Sequence, residues 1–303
     1  MKSYQRCLLF SFFALLSGGF PLCGEVKVAS LHPLMTDLVR QVGGEEVEIV
    51  EIGKVGFSVH RFEPTAQDLI EMGSCQAVFA SGKGIETYLP DLRDALGDVL
   101  IVEVGETIPS RSISDQEALC SCCDHDHSHS DTTNLIDPHW WHDVTNMERA
   151  VKVVEKSLVG LAPEHADQFK ERSLELRSQY EDLDRWVIRQ LGKIPEEQRT
   201  LVTAHAAFGY FCKKYEMEPV YVLGMSAQHE VPAKELVEEL VAIKEKGIRA
   251  VFPELKSNPK VLQQLANETG AKIGEYLVAD GAVESYEGMI RNNVSNIVSA
   301  LGE

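Results

Sequence analysis

Residues 25–52 read EVKVASLHPLMTDLVRQVGGEEVEIVEI. Residues 25–31 form a short apolar, β-branched run, the signature of a strand. Pro33 stands at the first turn of a helical period that runs to Val42, and Gly43 and Gly44 stop it. Residues 47–52 then begin a second apolar run. Two strands separated by one helix call for a right-handed crossover, which makes the strands parallel neighbours in one sheet.

The same cycle repeats outward from this stretch. Thr65 and Asp68 have capping-box spacing for a helix to Met72. Strands are expected at 77–80 and 99–104, with a helix over 85–96 between them. A polar gap covers 107–131. Strands then recur at 201–203, 219–223, 248–252 and 272–277, with helices between them and a last helix from about Ser285. Between the halves, residues 164–191 carry apolar side chains at Phe169, Leu174, Leu176, Tyr180, Leu183, Val187 and Leu191, with Pro163 before them and Gly192 and Pro195 after. No Gly or Pro interrupts the stretch, so it reads as one rod of about 42 Å, the alternative being two shorter helices with a kink. A rod packed along both halves allows only slight relative movement, whereas a loose linker would allow hinge closure. The expected class is α/β, with two lobes, each a mostly parallel sheet flanked by helices, joined by one long backbone helix. The boundaries fall at 25–162, 163–193 and 194–303.

Residues 1–24 read as a signal peptide: Lys2 and Arg6 precede an apolar run over 7–16, and small or turn-forming residues follow. The run is about half the length a membrane span needs. A lipid-modified Cys23 is a second, weaker reading of the same segment. Cleavage after Gly24 leaves 279 of the 303 residues, and loss of Lys2 and Arg6 moves the net charge from −18 to −20. An acidic chain without a basic run repels phosphate backbones and anionic lipid, so nucleic acid is excluded as a partner and cations are favoured. The chain is expected outside the cytoplasm, as a monomer. Cys75, Cys120, Cys122, Cys123 and Cys212 remain after cleavage, and an odd number leaves at least one thiol free or intermolecular.

In open α/β sheets ligands gather past the carboxyl ends of the strands. His60, His205 and Asp280 follow strands, and His139 follows the polar gap. Three imidazoles and one carboxylate are borderline nitrogen and hard oxygen donors, suited to tetrahedral Zn²⁺, with Mn²⁺ or Fe²⁺ accommodated when the carboxylate binds through both oxygens. A lone His is more often a hydrogen-bonded core or surface residue than a ligand, and spacing alone does not bring these four together.

His60 in HRFEPT, His139 in DPHWWHD, His205 in AHAAFGYF, the EVPAKEL stretch at 230–236 and Asp280 in ADG together resemble the zinc/manganese solute-binding proteins of ABC importers, the ZnuA/TroA type. The match covers nearly the whole chain beyond residue 24, in order. The resemblance implies two α/β lobes, a long backbone helix and one metal at the lobe interface, held by His60, His139, His205 and Asp280. Manganese-type members tend to carry Glu where His205 stands, which leans this chain toward zinc, and some zinc members replace the carboxylate at Asp280. Its implied partners are a membrane permease and that permease's cytoplasmic ATPase.

His142, three residues past His139, stands where the family more often has an apolar residue. A spare ligand or gate is one reading, an exposed or outer histidine the other. Glu254 faces the same cleft as an outer acceptor for an imidazole N–H, or else caps a turn. In the gap, residues 120–131 read CSCCDHDHSHSD, so His125, His127 and His129 sit among further metal donors. Weak, mobile metal binding and a merely solvated loop are its two readings. A binding protein that catalyses no reaction leads; a zinc hydrolase using the same histidines and a metal-holding surface adhesin are the alternatives. The sequence lacks His-Glu-x-x-His and Gly-x-Ser-x-Gly.

Overall fold

Strand β1 (Val26–Ser30) pairs in parallel with β2 (Val47–Glu51) through Val28↔Ile49, and helix α1 (Pro33–Gly43) connects them. In a computed structural model of the chain, residues 26–56, 58–113, 135–222, 247–255, 259–281, 283 and 285–302 are described. Helix α2 (Ala66–Gly73), β3 (Ala77–Ala80), α3 (Leu89–Leu96) and β4 (Leu100–Glu103) complete a parallel sheet of order β2-β1-β3-β4. A 3-10 turn (Trp140–His142) leads into α4 (Val144–Leu161). The rod α5 (Ala166–Leu191) follows one more 3-10 turn, Pro163–His165. Beyond it, β5 (Thr200–Thr203), α6 (Gly209–Tyr215), β6 (Glu218–Tyr221), β7 (Ala250–Phe252), α7 (Lys260–Thr269) and β8 (Lys272–Ile273) build a second parallel sheet of order β6-β5-β7-β8. Helix α8 (Tyr286–Leu301) closes the chain.

The expected architecture of two parallel sheets flanked by helices and joined by one long helix is the one observed. The rod is a single helix of 26 residues. It buries Phe169, Ser173, Leu176, Tyr180, Leu183, Val187 and Leu191, spaced three and four apart along one stripe, and leaves its charged faces to solvent. That stripe packs against α1, α4 and α8. The Tyr180 and Tyr286 rings meet edge-on at 5.2 Å. One apolar core therefore runs without a break from Val28 and Phe79 of the first sheet, through Phe169 and Leu183 of the rod, to Leu201 and Phe252 of the second. Smaller clusters cover the outer sheet faces, around Val78 and Leu92 in one lobe and Val251 and Leu265 in the other.

Several expected elements are shorter than their sequence patterns, among them the strands over 99–104 and 248–252, found at Leu100–Glu103 and Ala250–Phe252. The helix over 85–96 starts only at Leu89. The preceding turn is held open by positive φ at Gly82, Lys83 and Gly84, and the buried Glu86 carboxylate turns back to accept from the Ser81 and Gly82 backbone N–H groups. Burial raises that carboxyl to about 7 against the pull of those donors. The strand over 272–277 is in register with β7 only at Lys272 and Ile273; Gly274, whose N–H still bonds to the Val251 carbonyl, passes under the Phe252 ring where a Cβ would come within 2.6 Å, and Leu277 rejoins through a parallel bridge to Glu254. The strand over 219–223 runs instead from Glu218 to Tyr221. The helix at 65–72 is found as expected, with the Thr65 and Asp68 box closed in both directions. Cys75 and Cys212 are buried and form no disulfide among the described residues. The leader at 1–24 with Cys23, the donor-rich segment 120–131 with His125, His127 and His129, and the 230–236 stretch lie outside the described residues. No helix among the described residues is long and apolar enough to cross a membrane.

Candidate metal centre

Each of the four site residues sits on a short connection just past an ordered element. His60 lies between β2 and α2, followed by the closed capping box that fixes Thr65. His139 follows an antiparallel bridge between Ser112 and Ile136 and opens the Trp140–His142 turn. His205 lies two residues past β5, where the Thr203 hydroxyl donates to its carbonyl oxygen. Asp280 follows Leu277, whose backbone bonds to Pro253 and Leu255 tie it to the second sheet.

The structure brings these four together. One donor atom from each of His60, His139, His205 and Asp280 lies within 4.8 Å of all the others. Asp280 Oδ1 is 3.6 Å from His60 Nε2, 3.7 Å from His139 Nε2 and 3.6 Å from His205 Nε2. The Nε2 atoms of His60 and His139 are 3.3 Å apart. Bonds of 2.0–2.1 Å in a tetrahedron put neighbouring donors about 3.4 Å apart. Those four distances are close to that spacing, and the two remaining edges, from His205 to His60 and His139, stay within 4.8 Å. The side chains of His139 and His205 are almost wholly buried, while His60 and Asp280 keep 18% and 25% exposure, so the cluster opens to solvent on the His60 and Asp280 side.

Two carboxylates behind the cluster aim two of the rings. His139 donates its Nδ1–H to Asp137 Oδ1 at 2.9 Å, and the same oxygen accepts the His139 backbone N–H at 2.9 Å. The fully buried Asp137 is paired in turn with Arg111 Nη1 at 3.0 Å. Across the cluster, His205 donates Nδ1–H to Glu254 Oε2 at 2.5 Å and its backbone N–H to Oε1 at 3.0 Å. Each carboxylate fixes the tautomer, turns an Nε2 lone pair toward the centre and makes it more basic. Of the two expectations the sequence reading set for Glu254, imidazole acceptor or turn cap, its contact with the His205 ring corresponds to the first. Asp137 was not assigned a role there, although its position two residues before His139, with the backbone stiffened by Pro138, was a usable signal.

Burial pushes the His139 imidazole below its ordinary range despite Asp137. Burial acts the same way on His205, but the Glu254 and Asp280 carboxylates on either side outweigh it and hold that ring well above the usual value. Asp280, facing the histidines, is held well below the ordinary carboxylate range in spite of its own burial.

His142 is neither exposed nor among the four. It is fully buried, its ring lies 4.5 Å from that of Phe208, and its Nε2–H donates to the Ala279 carbonyl at 2.8 Å. Trp141 Nε1–H donates to the same carbonyl at 2.9 Å. His32, which carried no expected role, is also buried: its Nδ1 accepts from Leu34 N–H, and its ring lies 4.8 Å from that of Trp141. Burial lowers both His32 and His142 to about 3, so both are neutral.

The family described as zinc-uptake complex component A, periplasmic, matches residues 28–300. The zinc-binding protein TroA of Treponema pallidum is 30% identical over 291 residues, covering 92% of this chain and 89% of TroA. A solved structure of the periplasmic zinc-binding protein TroA from the same organism superposes with a TM-score of 0.80 at 28% identity, covering 92% of this chain and all of that one. A manganese-binding lipoprotein, MntA of Halalkalibacterium halodurans, is 25% identical over 284 residues, 92% of this chain and 89% of its own length. The iron-binding protein YfeA of Yersinia pestis is 25% identical over 288 residues, 92% and 87% of the two chains.

Proposed function

This chain belongs to the periplasmic zinc-uptake component A family, the metal-binding subunits of ABC importers and not enzymes, and on that premise we propose that it captures one Zn²⁺ per chain and passes it to a membrane permease driven by a cytoplasmic ATPase. His60, His139, His205 and Asp280 hold the ion. The observation that carries the reading is the near-equal spacing of Asp280 Oδ1 from three imidazole Nε2 atoms. Three nitrogens and one oxygen at tetrahedral spacing favour Zn²⁺ over Mn²⁺ or Fe²⁺, which take more, and mainly oxygen, donors. Four protein donors also leave no open position for an activated water, the feature a zinc hydrolase requires. Uptake of Mn²⁺ or Fe²⁺ is the second reading, and the similarity to proteins named for those metals supports it. The chain acts as a monomer outside the cytoplasm after removal of residues 1–24, with attachment through a lipid on Cys23 the alternative.

Metal analysis and competition titration of the purified chain test the proposal. One tight Zn²⁺ is expected, lost or much weakened in His60→Ala, His139→Ala and His205→Ala, with Mn²⁺ and Fe²⁺ bound less tightly. Deletion of residues 120–131 is expected to remove weaker additional sites and to spare the tight one. A tight site that survives all three substitutions rules the assignment out.

A further inference from the structure

Asp280 follows Leu277 and Val278, which are bonded to Pro253, Leu255 and Asn293 of the second half, yet the residues on either side of it also meet the first half. The Ala279 carbonyl, one residue away, accepts both Trp141 Nε1–H and His142 Nε2–H. On the other side, Gly281 adopts φ +68° and passes so close to the first lobe that a Cβ would lie 2.8 Å from Leu34 Cγ and 2.9 Å from His32 Cε1. Tyr286, at the start of α8, donates its backbone N–H to Asp37 Oδ2 of α1 and its hydroxyl to the Trp141 carbonyl. His205 is fastened differently: its backbone bonds to Thr203, Ala207 and Glu254 and its ring Nδ1 bonds to Glu254, all in the second lobe.

We infer that His142 and Trp141 are positioning residues for Asp280, fastening the segment that carries it to the first lobe while Leu277 holds it to the second sheet. The inference rests on the metal-binding reading above. The buried His142 is suited to this task by its hydrogen bonding. Its Nε2–H is committed to Ala279, and its Nδ1 has no hydrogen-bond partner. Leaving a buried acceptor unpaired costs stability, whereas an apolar ring of the same size carries no such cost. The histidine is thus a poor choice for packing alone, and the Nε2–H bond to Ala279 is what it adds.

The test is Zn²⁺ affinity, by chelator competition on the full chain, for His142→Phe, His142→Gln and Trp141→Phe, each alone and in Asp280→Ala and His205→Ala backgrounds. His142→Phe and Trp141→Phe are expected to weaken Zn²⁺ about 10- to 100-fold, the usual effect of losing an outer-shell partner. His142→Gln, which keeps an N–H donor, should recover most of the loss. In the Asp280→Ala background the His142→Phe and Trp141→Phe effects should vanish; in the His205→Ala background they should persist in full. The metal-free melting temperature of His142→Phe should equal or exceed that of the parent chain. Equal losses in both backgrounds, or no loss in a chain that itself binds Zn²⁺ tightly, overturn the inference. A parent chain without tight Zn²⁺ binding overturns the functional reading and this inference with it. If His142→Phe does not fold, Trp141→Phe and His142→Gln carry the same comparison.

Discussion

Glu254 grips His205 at two points: Oε2 lies 2.5 Å from the ring Nδ1, and Oε1 accepts the backbone N–H at 3.0 Å. Backbone and ring are fixed by one carboxylate, so Nε2 is aimed without freedom to turn. Glu254→Gln removes the charge that makes the imidazole a stronger donor. Zn²⁺ affinity is expected to fall about 10- to 100-fold, and Asp137→Asn should act similarly through His139. Competition titration reads both; unchanged affinity in Glu254→Gln contradicts the aiming role.

Proton competition for the metal should begin at His205. Its imidazole is held well above the usual value in the metal-free chain, while that of His139 is held below it. An ion entering the site displaces the proton from His205, so affinity should fall as pH drops and should begin to fall above the ordinary imidazole value of about 6.5. Zn²⁺ titrations between about pH 8.5 and 5.5 check this, and flat affinity across that range would refute it.

Acid should destabilise the metal-free chain through His32 and His142. Both are lowered to about 3 by burial, below their unfolded value of 6.5. The unfolded chain therefore takes up protons that the folded chain refuses, and the penalty is absent above 6.5 and grows as pH falls toward 3. Each histidine contributes up to about 1.4 kcal/mol per pH unit in that window. His142→Phe removes one of the two. Between pH 6.5 and 4.5 the variant should gain about 2–3 kcal/mol relative to the parent chain. Denaturant unfolding with chelator present measures it, and parallel stability curves for the two chains would exclude the effect.

Gly281→Ala should damage the site from a distance of one residue. The backbone there has φ +68°, and the new Cβ would strike Leu34 and the His32 ring. The chain must shift, and Asp280 shifts with it. A loss of about tenfold or more in Zn²⁺ affinity is expected, since outer-shell displacement has that scale. Gly84→Ala is the control: φ there is +81°, but a Cβ meets open space, so it should cost about 1–2 kcal/mol of stability and leave affinity unchanged. Equal affinity losses in the two variants would show that backbone strain alone, and not the contact with His32 and Leu34, is responsible.

Much of the fold was legible because its signals are local. The Thr65 and Asp68 box and the glycine pair after α1 sit where three or four residues decide the outcome, and the structure keeps them. The uninterrupted stripe of residues 164–191 gave the rod for the same reason. The late start of α3 was not legible, because it depends on Glu86 turning back onto the Ser81 and Gly82 backbone in place of entering a helix. Of the two outer placements open to His142, exposed or behind the ligands, burial excludes only the exposed one. Its spacing from His139 suggested a shared helical face, but the chain there makes a single 3-10 turn that drives the ring into the core beside Phe208.

The sequence by itself determined the strand and helix alternation, the single rod and the donor chemistry of the centre, since periodicity, capping and side-chain type act over a few residues. Only the tertiary structure decided that the Asp280 segment is held from both halves, that Asp137 and Glu254 aim the two buried rings, and that His142 is interior. Those depend on contacts such as the one between His142 and Ala279, 137 positions apart along the chain. A bond of that span depends on how the two halves pack, and no local pattern encodes it.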